Sequence, residues 1–271
     1  MTGVTSAAAL WSSGNWDAVA RTMAPIHDRL VDALAPKPGE RWLDVATGSG
    51  AVALRAARAG AEVIGIDIAP ALIDVAEKRA AEERLSIRFD VGDAEDLPYE
   101  DASFEVVSSA HGVHFAPDHA RAAAELARVC RPGGRLGITV WRSGGAGDEI
   151  AEMVAKYQPP ASDTGRGSFG EPEYATRMLG EAFELEFIPE VWMQTGTSGE
   201  EIWKLATSSV PQLKLLVQSL DPPRREVFHR DWVAYYERFR DSDVVRAPNE
   251  YMLILGRRRR LGPLISQPGQ R

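Results

Sequence analysis

The chain has 271 residues, of which 44% are hydrophobic and 26% are charged, a composition typical of a globular protein with a substantial core. Its 31 basic and 39 acidic residues give a net charge of −8, which argues against a basic nucleic-acid footprint. No apolar run is long enough to span a bilayer, and residues 1–10 lack the features of a secretory signal. We therefore expect a cytoplasmic enzyme that binds neither nucleic acid nor membrane.

Sulfur and imidazole groups give no metal-binding pattern. Cys130 is the single cysteine, so neither an intramolecular disulfide nor a thiolate cluster can form. His111 and His114 are three residues apart but lack the carboxylate and helix pattern of a zinc site. We expect no metal, and a buried, unreactive thiol at Cys130.

Strands and helices alternate in the first half of the chain. The apolar patterns predict strands at residues 41–46, 62–67, 86–91, 104–109 and 135–141, and helices at 51–59, 70–85 and 118–130. Strands separated by single helices form right-handed βαβ units and hence a parallel sheet. The fold class is therefore α/β, a doubly wound sheet with helices on both faces.

The second half has a different character. It contains predicted helices near residues 148–157 and 171–182, strands at 183–195 and 250–257, and two or three helices between those two strands. Helices inserted between the late strands would lie over the carboxyl edge of the sheet, where open α/β sheets bind ligands. We expect a small helical cap at 196–245, while residues 1–195 and 246–271 form the main domain.

A glycine-rich loop follows the first strand and begins a helix. Residues 48–53 match the G-x-G-x-x-A pattern, in which glycines allow close approach of a ligand to the backbone. Asp67 ends the second strand, where a carboxylate can accept both hydroxyls of a ribose. Nicotinamide dinucleotides and S-adenosylmethionine both contain an adenosine ribose, so this pattern alone fits either cofactor.

Acidic residues on either side of the loop favour S-adenosylmethionine. Asp44 lies four positions before Gly48, where a carboxylate would repel a pyrophosphate but attract a sulfonium or an ammonium. Asp93 belongs to the acid-rich segment 92–98 and is suited to accept the exocyclic amine of adenine.

Together these segments resemble class I S-adenosylmethionine-dependent methyltransferases, in particular the small-molecule branch related to the ubiquinone and menaquinone C-methyltransferases. The resemblance extends over about residues 30–145 and rests on segments 43–54, 65–67, 92–98 and 126–136. It implies a seven-stranded sheet with an antiparallel last strand. Ala46 departs from the family pattern, which more often has glycine there, and we expect the change to be tolerated.

The resemblance also implies a role for individual residues. Asp67 would hold the ribose hydroxyls, Ile68 would pack on the adenine, and Asp93 with Ala94 would meet the adenine amine. Asp44 would support the loop or the ammonium. The predicted contacts of the methionine part and the loop around it are Ala46, Thr47, Gly48, Gly50 and Ser109.

In similar proteins an N-terminal helix folds over the cofactor, and we expect the same of residues 1–35. Trp16 is our candidate contact there, with ordinary packing of its ring on the sheet as the alternative.

Methyl transfer from a sulfonium is an in-line displacement that leaves S-adenosylhomocysteine, and it needs an aligned nucleophile and often a base. His111 and His114 follow the fourth strand beside the expected transfer point, so either is a candidate base or substrate anchor; the alternative is a loop histidine bonded to backbone.

Large apolar residues in the cap favour a medium-sized, largely apolar small-molecule acceptor. The methylated atom (C, O or N) stays open, and the sequence allows a homo-oligomer. The alternatives are a methyltransferase fold that catalyses a non-methylating reaction such as cyclisation, and a nicotinamide-dependent oxidoreductase.

Overall fold

A computed structural model describes residues 7–142, 144–158 and 168–260, and within them one sheet of eight strands. The strands are β1 (Arg41–Val45), β2 (Glu62–Asp67), β3 (Arg88–Val91), β4 (Phe104–Ala110), β5 (Cys130–Trp141), β6 (Phe183–Gly196), β7 (Arg240–Asp241) and β8 (Val244–Arg258). Their order is β3-β2-β1-β4-β5-β8-β6, and β7 pairs with β8. The pairs from β3 to β5 are parallel, whereas β8 is antiparallel to both β5 and β6. The predicted fold class is confirmed; the two-residue β7 was not predicted.

Helices cover both faces of the sheet. They are α1 (Ala7–Ser12), α2 (Trp16–Thr22), α3 (Ala24–Leu34), α4 (Ala51–Arg58), α5 (Pro70–Glu82), α6 (His119–Val129), α7 (Ala146–Ala155), α8 (Pro172–Leu179), α9 (Gly199–Ser209), α10 (Pro211–Ser219) and α11 (Pro222–Glu237). Neighbouring strand residues point to opposite faces. Accordingly, Trp42 packs with α3, α4 and α5, and Leu43 packs with α6 and α8.

The largest differences from the predicted element boundaries occur at β5 and β8. The predicted helix 118–130 is α6, which Asp118 caps by accepting a hydrogen bond from the amide of Arg121 at 3.0 Å. Cys130 is not in this helix but begins β5, so the predicted turn at 132–134 lies inside the strand, where the register against β4 shifts. An irregular strand of this kind has no simple alternating pattern, so the sequence indicates a turn instead.

The last strand is also longer than predicted. β8 begins at Val244 rather than at residue 250, so β7 and the start of β8 occupy the end of the predicted cap segment 196–245. The remaining helices, α9, α10 and α11, share a hydrophobic cluster of their own, and we call them the cap helices. The amide of Asn15 donates to the carbonyl of Ser209 at 3.0 Å, which joins the N-terminal helices to the cap helices.

Among the described residues, no helix is long and apolar enough to cross a membrane. In the same part of the chain, no three metal-binding side chains converge.

Candidate active site

A cavity of about 790 Å³ lies at the carboxyl ends of β1, β2, β4 and β5. This volume is in the upper part of the range found for small-molecule sites. The N-terminal helices and the cap helices complete its walls. The position is the one expected for a ligand site in an open α/β sheet.

The glycine-rich loop turns sharply at the end of β1. Ala46, Gly48 and Gly50 all have positive φ angles, of 54°, 55° and 77°. Glycine adopts such angles without strain, which explains why it is commoner than alanine at the position of Ala46. Ala46, Thr47 and Gly48 line the cavity. Gly50 does not line it in this structure, because it begins α4 and faces Ala76 and Phe89 instead.

Asp44 braces this loop from beneath. Its carboxylate accepts hydrogen bonds from the hydroxyls of Thr47 at 2.6 Å and Ser108 at 2.7 Å. Ser108 in turn accepts a hydrogen bond from the indole of Trp42 at 2.8 Å. Burial raises the pKa of Asp44 from 3.8 to about 6, although the two hydroxyl donors oppose the shift. The sequence predicted that Asp44 supports either the loop or the ammonium of the cofactor, and these hydrogen bonds fit the first role.

Asp67 connects β2 to the same loop. Its carboxylate accepts hydrogen bonds from the amides of Gly48 at 2.8 Å and Ala69 at 2.9 Å. Burial raises its pKa, and these backbone donors oppose the shift. Asp67 and Ile68 both line the cavity, so they are in place for the predicted ribose and adenine contacts.

The acid-rich segment after β3 forms another part of the wall. Asp93 and Ala94 line the cavity, and Asp93 is exposed at its rim. The amide of Glu95 donates to the Asp93 carboxylate at 2.9 Å, which fixes the side chain within a tight turn. The structure thus brings Asp93 to the same cavity as Asp67.

The N-terminal helices close the cavity on a third side. Trp16 lines it, and the ring of Trp11 lies between those of Trp16 and Phe115, with centroids 5.2 and 4.8 Å away. The position of Trp16 agrees with the predicted cover over the cofactor.

His111 follows β4 and enters the cavity wall. Its φ angle is 51°, and it is held twice by Thr139 of β5: its amide donates to the Thr139 carbonyl at 2.9 Å, and its Nδ1 lies 2.9 Å from the Thr139 hydroxyl. Its Nε2 is buried and has no hydrogen-bond partner within the described residues. Burial, with the nearby His114 and His27, holds the pKa of His111 well below its usual value, so the ring is neutral.

The loop after His111 approaches the glycine-rich loop closely. A Cβ at Gly112 would collide with the Cβ of Ala46, so only glycine allows this contact. The predicted contact Ser109 does not line the cavity; its hydroxyl accepts a hydrogen bond from the amide of Val113 at 3.0 Å. Ser109 therefore supports the turn that carries His114, which is buried and lines the cavity.

Sequence reasoning missed His27. It lies on α3, lines the cavity and is 5% exposed. Burial lowers its pKa from 6.5 to about 3, and its Nδ1 has no partner in the described part of the chain. An isolated histidine on an amphipathic helix carries no motif, so only the folded chain shows its proximity to His111.

The part of the cavity under the cap helices is largely apolar. Its walls include Trp192, Leu205, Val210, Leu213 and Trp232. Three charged residues also line the cavity: Arg142 directly after β5, Asp148 on α7 and Glu250 on β8.

Residues 43–138, which contain the glycine-rich loop and the strands around it, match a family model described as a methyltransferase domain. The chain carries a class I methyltransferase domain. This match confirms the predicted family and S-adenosylmethionine as its cofactor. The nicotinamide alternative rested on the glycine-rich loop, which fits both cofactors equally well. Because the family match favours a methyltransferase, that alternative loses its support.

The chain is also similar to curated proteins and shares its fold with a solved structure. The Mycobacterium tuberculosis protein Rv1405c is 41% identical over 176 residues, which cover 64% of each chain. The demethylmenaquinone methyltransferase of Thermus thermophilus is 42% identical over 144 residues, 52% of this chain and 56% of that one. The Bacillus subtilis YcgJ protein shares the fold with a TM-score of 0.61 and 20% identity, covering 86% of this chain and 98% of its own. The chain thus spans less than two thirds of the mycobacterial relative.

Proposed function

We propose that the methyltransferase domain transfers the methyl group of S-adenosylmethionine to a medium-sized, largely apolar small molecule. One observation carries this proposal. A single cavity extends from the predicted cofactor residues into an apolar space under the cap helices. The walls under the cap helices are largely apolar, which favours an apolar acceptor beside the cofactor.

The residues present fit the cofactor. Asp67 would hold the ribose, Ile68 and Ala94 would lie along the adenine, and Asp93 would accept its amine. Bound there, the cofactor supplies an electrophilic methyl group. Trp16 and the N-terminal helices would exclude water from the site, which displacement at carbon requires.

His111 is our proposed general base for an acceptor hydroxyl. A base must be neutral before it takes a proton, and burial holds the His111 ring neutral. Its unpartnered Nε2 is the atom available for that proton, and Thr139 fixes the opposite nitrogen. His114 is the second candidate, because it lines the same wall.

The domain organisation proposed from the sequence is consistent with this function. Residues 7–35, the described part of the predicted segment 1–35, would cover the cofactor, and the segment 196–245 would contribute the helices that bound the acceptor space.

Transfer of labelled methyl groups tests the proposal. Purified protein would be incubated with methyl-labelled S-adenosylmethionine and either apolar phenols or small charged amines, and the products separated. Label is expected on phenols alone, and His111→Ala should lower the transfer rate by about 100-fold or more. Label on the charged amines alone would contradict an apolar acceptor. Conversion of a polyene probe without loss of the methyl label would instead support the cyclisation alternative.

A further inference from the structure

Several side chains around the cavity have buried polar atoms without a protein partner. Within the described residues, such atoms occur on Trp16, His27, His111, Gln212 and Trp232, and all five residues line this cavity. Buried polar groups in proteins are normally hydrogen-bonded. Their concentration at one cavity indicates that bound molecules supply the missing partners.

Trp232 provides such an atom at the cap end. It lies on α11, is 5% exposed and packs against Trp203 and Tyr236 with ring centroids 5.6 Å away in each case. Its Nε1 has no partner in the part of the chain that the structure describes. An indole N–H can only donate a hydrogen bond, so the partner must carry an acceptor atom.

Gln194 provides a second donor at the same end. It lies on β6 and lines the cavity. The hydroxyl of Tyr236 donates to its Oε1 at 3.1 Å, and burial raises the pKa of Tyr236, so this hydroxyl keeps its proton. Because the amide oxygen is engaged by Tyr236, the NH2 group of Gln194 is the part that can bind a ligand.

The sheet register separates these donors from His111. The His111 ring lies 4.2 Å from that of Trp141, which pairs with Tyr251 of β8, whereas Gln194 pairs with Ala247. Four residues of β8 therefore separate the two positions, roughly 13 Å along the strand. Because β5 and β6 lie on opposite sides of β8, the two positions also lie two strand spacings apart, roughly 10 Å across the sheet. His111 and Gln194 line the same cavity, so an elongated molecule can contact both.

The charges around the cavity favour a neutral ligand group at this end. Within the described residues, Arg142 is the cation that lines the cavity, and its amide donates to the carbonyl of Glu250 at 3.1 Å. The acids Asp148 and Glu250 line the cavity as well. A carboxylate bound by Trp232 and Gln194 would be buried without a counter-charge, which is costly. A neutral carbonyl needs only the two donors.

We propose that the methyl acceptor is a hydroxy-ketone type of molecule: its reacting hydroxyl lies at His111, and a carbonyl oxygen at its far end accepts hydrogen bonds from Trp232 Nε1 and the Gln194 amide. This inference rests on the proposed function and specifies the substrate class of the same site.

The test uses two probes that differ only in the carbonyl, 6-ethyl-2-naphthol and 6-acetyl-2-naphthol. Their binding to protein saturated with S-adenosylhomocysteine would be measured by calorimetry. The acetyl compound is expected to bind about tenfold more tightly, as two additional neutral hydrogen bonds would give. Spectra of ¹⁵N-labelled indoles should show a shift of the Trp232 N–H, assigned with Trp232→Phe, and none of the Trp42 N–H, which is already bonded to Ser108.

Matched variants identify the residues responsible. Gln194→Met and Trp232→Phe should each reduce the preference for the acetyl compound while the affinity for 6-ethyl-2-naphthol is retained. Gln218→Met is the control, because Gln218 is exposed on α10 and does not line the cavity, so the preference should persist. If Trp232→Phe fails to fold, Gln194→Met alone decides.

Two outcomes would overturn the proposal in distinguishable ways. Equal affinity of the wild-type protein for the two probes, or an unchanged preference in Gln194→Met, would refute the carbonyl contact and leave the proposed function intact. Binding of neither probe would overturn the apolar acceptor itself, and the carbonyl contact with it.

Discussion

At the scale of single residues, the chemistry of the site depends on acids and imidazoles whose pKa values are shifted towards the uncharged form by burial. The carboxyl group of Asp44 is 1% exposed, and each of its two oxygens accepts a hydrogen bond from a hydroxyl. Hydroxyl donors stabilise the carboxylate less than water does, so burial dominates and its pKa rises. The empty protein therefore holds Asp44 largely protonated below about pH 6.

This shift makes stability depend on pH. The folded pKa of about 6 exceeds the ordinary 3.8, so the folded state binds the proton more tightly, and stability falls as pH rises between these values. Relative to Asp44→Asn, which resembles the protonated form, the wild-type free energy of unfolding should fall by about 3 kcal/mol across that window. Urea unfolding of both proteins at several pH values measures this. A difference that does not change with pH would contradict the prediction.

Thr139 should act on catalysis through His111. For Nε2 of His111 to accept a proton, Nδ1 must carry the hydrogen and donate it to the Thr139 hydroxyl. Thr139→Val removes that acceptor and should lower the turnover number about five- to tenfold, as expected for one hydrogen bond, with little change in KM.

Thr139→Ser is the matched control, because it keeps the hydroxyl and should restore turnover. The pH profile distinguishes a positioning role from a structural one, since Thr139→Val should move the acidic limb, which is set by protonation of the base His111. A uniform loss of rate without any change in the profile would show that Thr139 acts only through packing.

The sequence identified the acids of this site but only some of its imidazoles. Asp44 and Asp67 lie at fixed short distances from Gly48 along the chain, so a local pattern was sufficient to find them. His27 and Thr139 reach the site through packing of α3 and β5 against β4, and no local pattern reports such contacts.

At the scale of elements, α2 is connected to the glycine-rich loop by a residue of α5. Arg79 donates from Nη1 to the Asp17 carboxylate and the Ser49 carbonyl, each at 2.9 Å. Its side chain is 20% exposed, so water screens this contact less than it screens a surface ion pair. Closure of the N-terminal helices and the shape of the loop are therefore coupled.

Arg79→Met should loosen this cover. We expect S-adenosylhomocysteine to bind about five- to tenfold more weakly, and residues 7–22 to become more accessible to protease. The control is Arg21→Met, because Arg21 also pairs with Asp17 but its side chain is 70% exposed. Exposed pairs contribute little, so this variant should bind nearly as tightly as the wild type. Equal losses in the two variants would mean that the Arg79 contacts with the loop are unimportant.

Element boundaries show where pattern-based prediction was wrong. The start of β5 was predicted as a turn because its proline and two glycines are typical of one, yet residues 132–134 continue the strand. β8 was predicted too short because polar residues at 246, 249 and 250 interrupt its apolar run. Its long pairing with β6 compensates through backbone hydrogen bonds, which do not depend on side-chain type.

At the scale of the whole molecule, the alternation of strands and helices together with right-handed crossovers indicates a parallel, doubly wound sheet, which is why the fold class could be predicted. The cavity could not be predicted in the same way. It is formed by segments far apart in the chain, from α1 to β8, that meet only after the sheet and the cap helices come together.

The charge of this assembled cavity gives a final prediction about cofactor binding. Asp44, Asp67 and Asp93 line one cavity in a protein of net charge −8, and burial raises the pKa of the first two. A bound cation favours their ionised forms, so binding should release protons at acidic pH. S-adenosylmethionine carries a sulfonium charge that S-adenosylhomocysteine lacks. Its affinity should therefore fall more steeply as pH decreases from about 7 to 5.

Calorimetry in two buffers of different ionisation enthalpy would count the released protons for each ligand. Asp44→Asn should reduce the difference between the ligands, because one of the titrating acids is gone, whereas a distant exchange such as Asp241→Asn should not. If the affinities of the two ligands depend on pH in the same way, the sulfonium has no significant electrostatic interaction with the buried acids. In that case Asp44 would serve only to shape the glycine-rich loop.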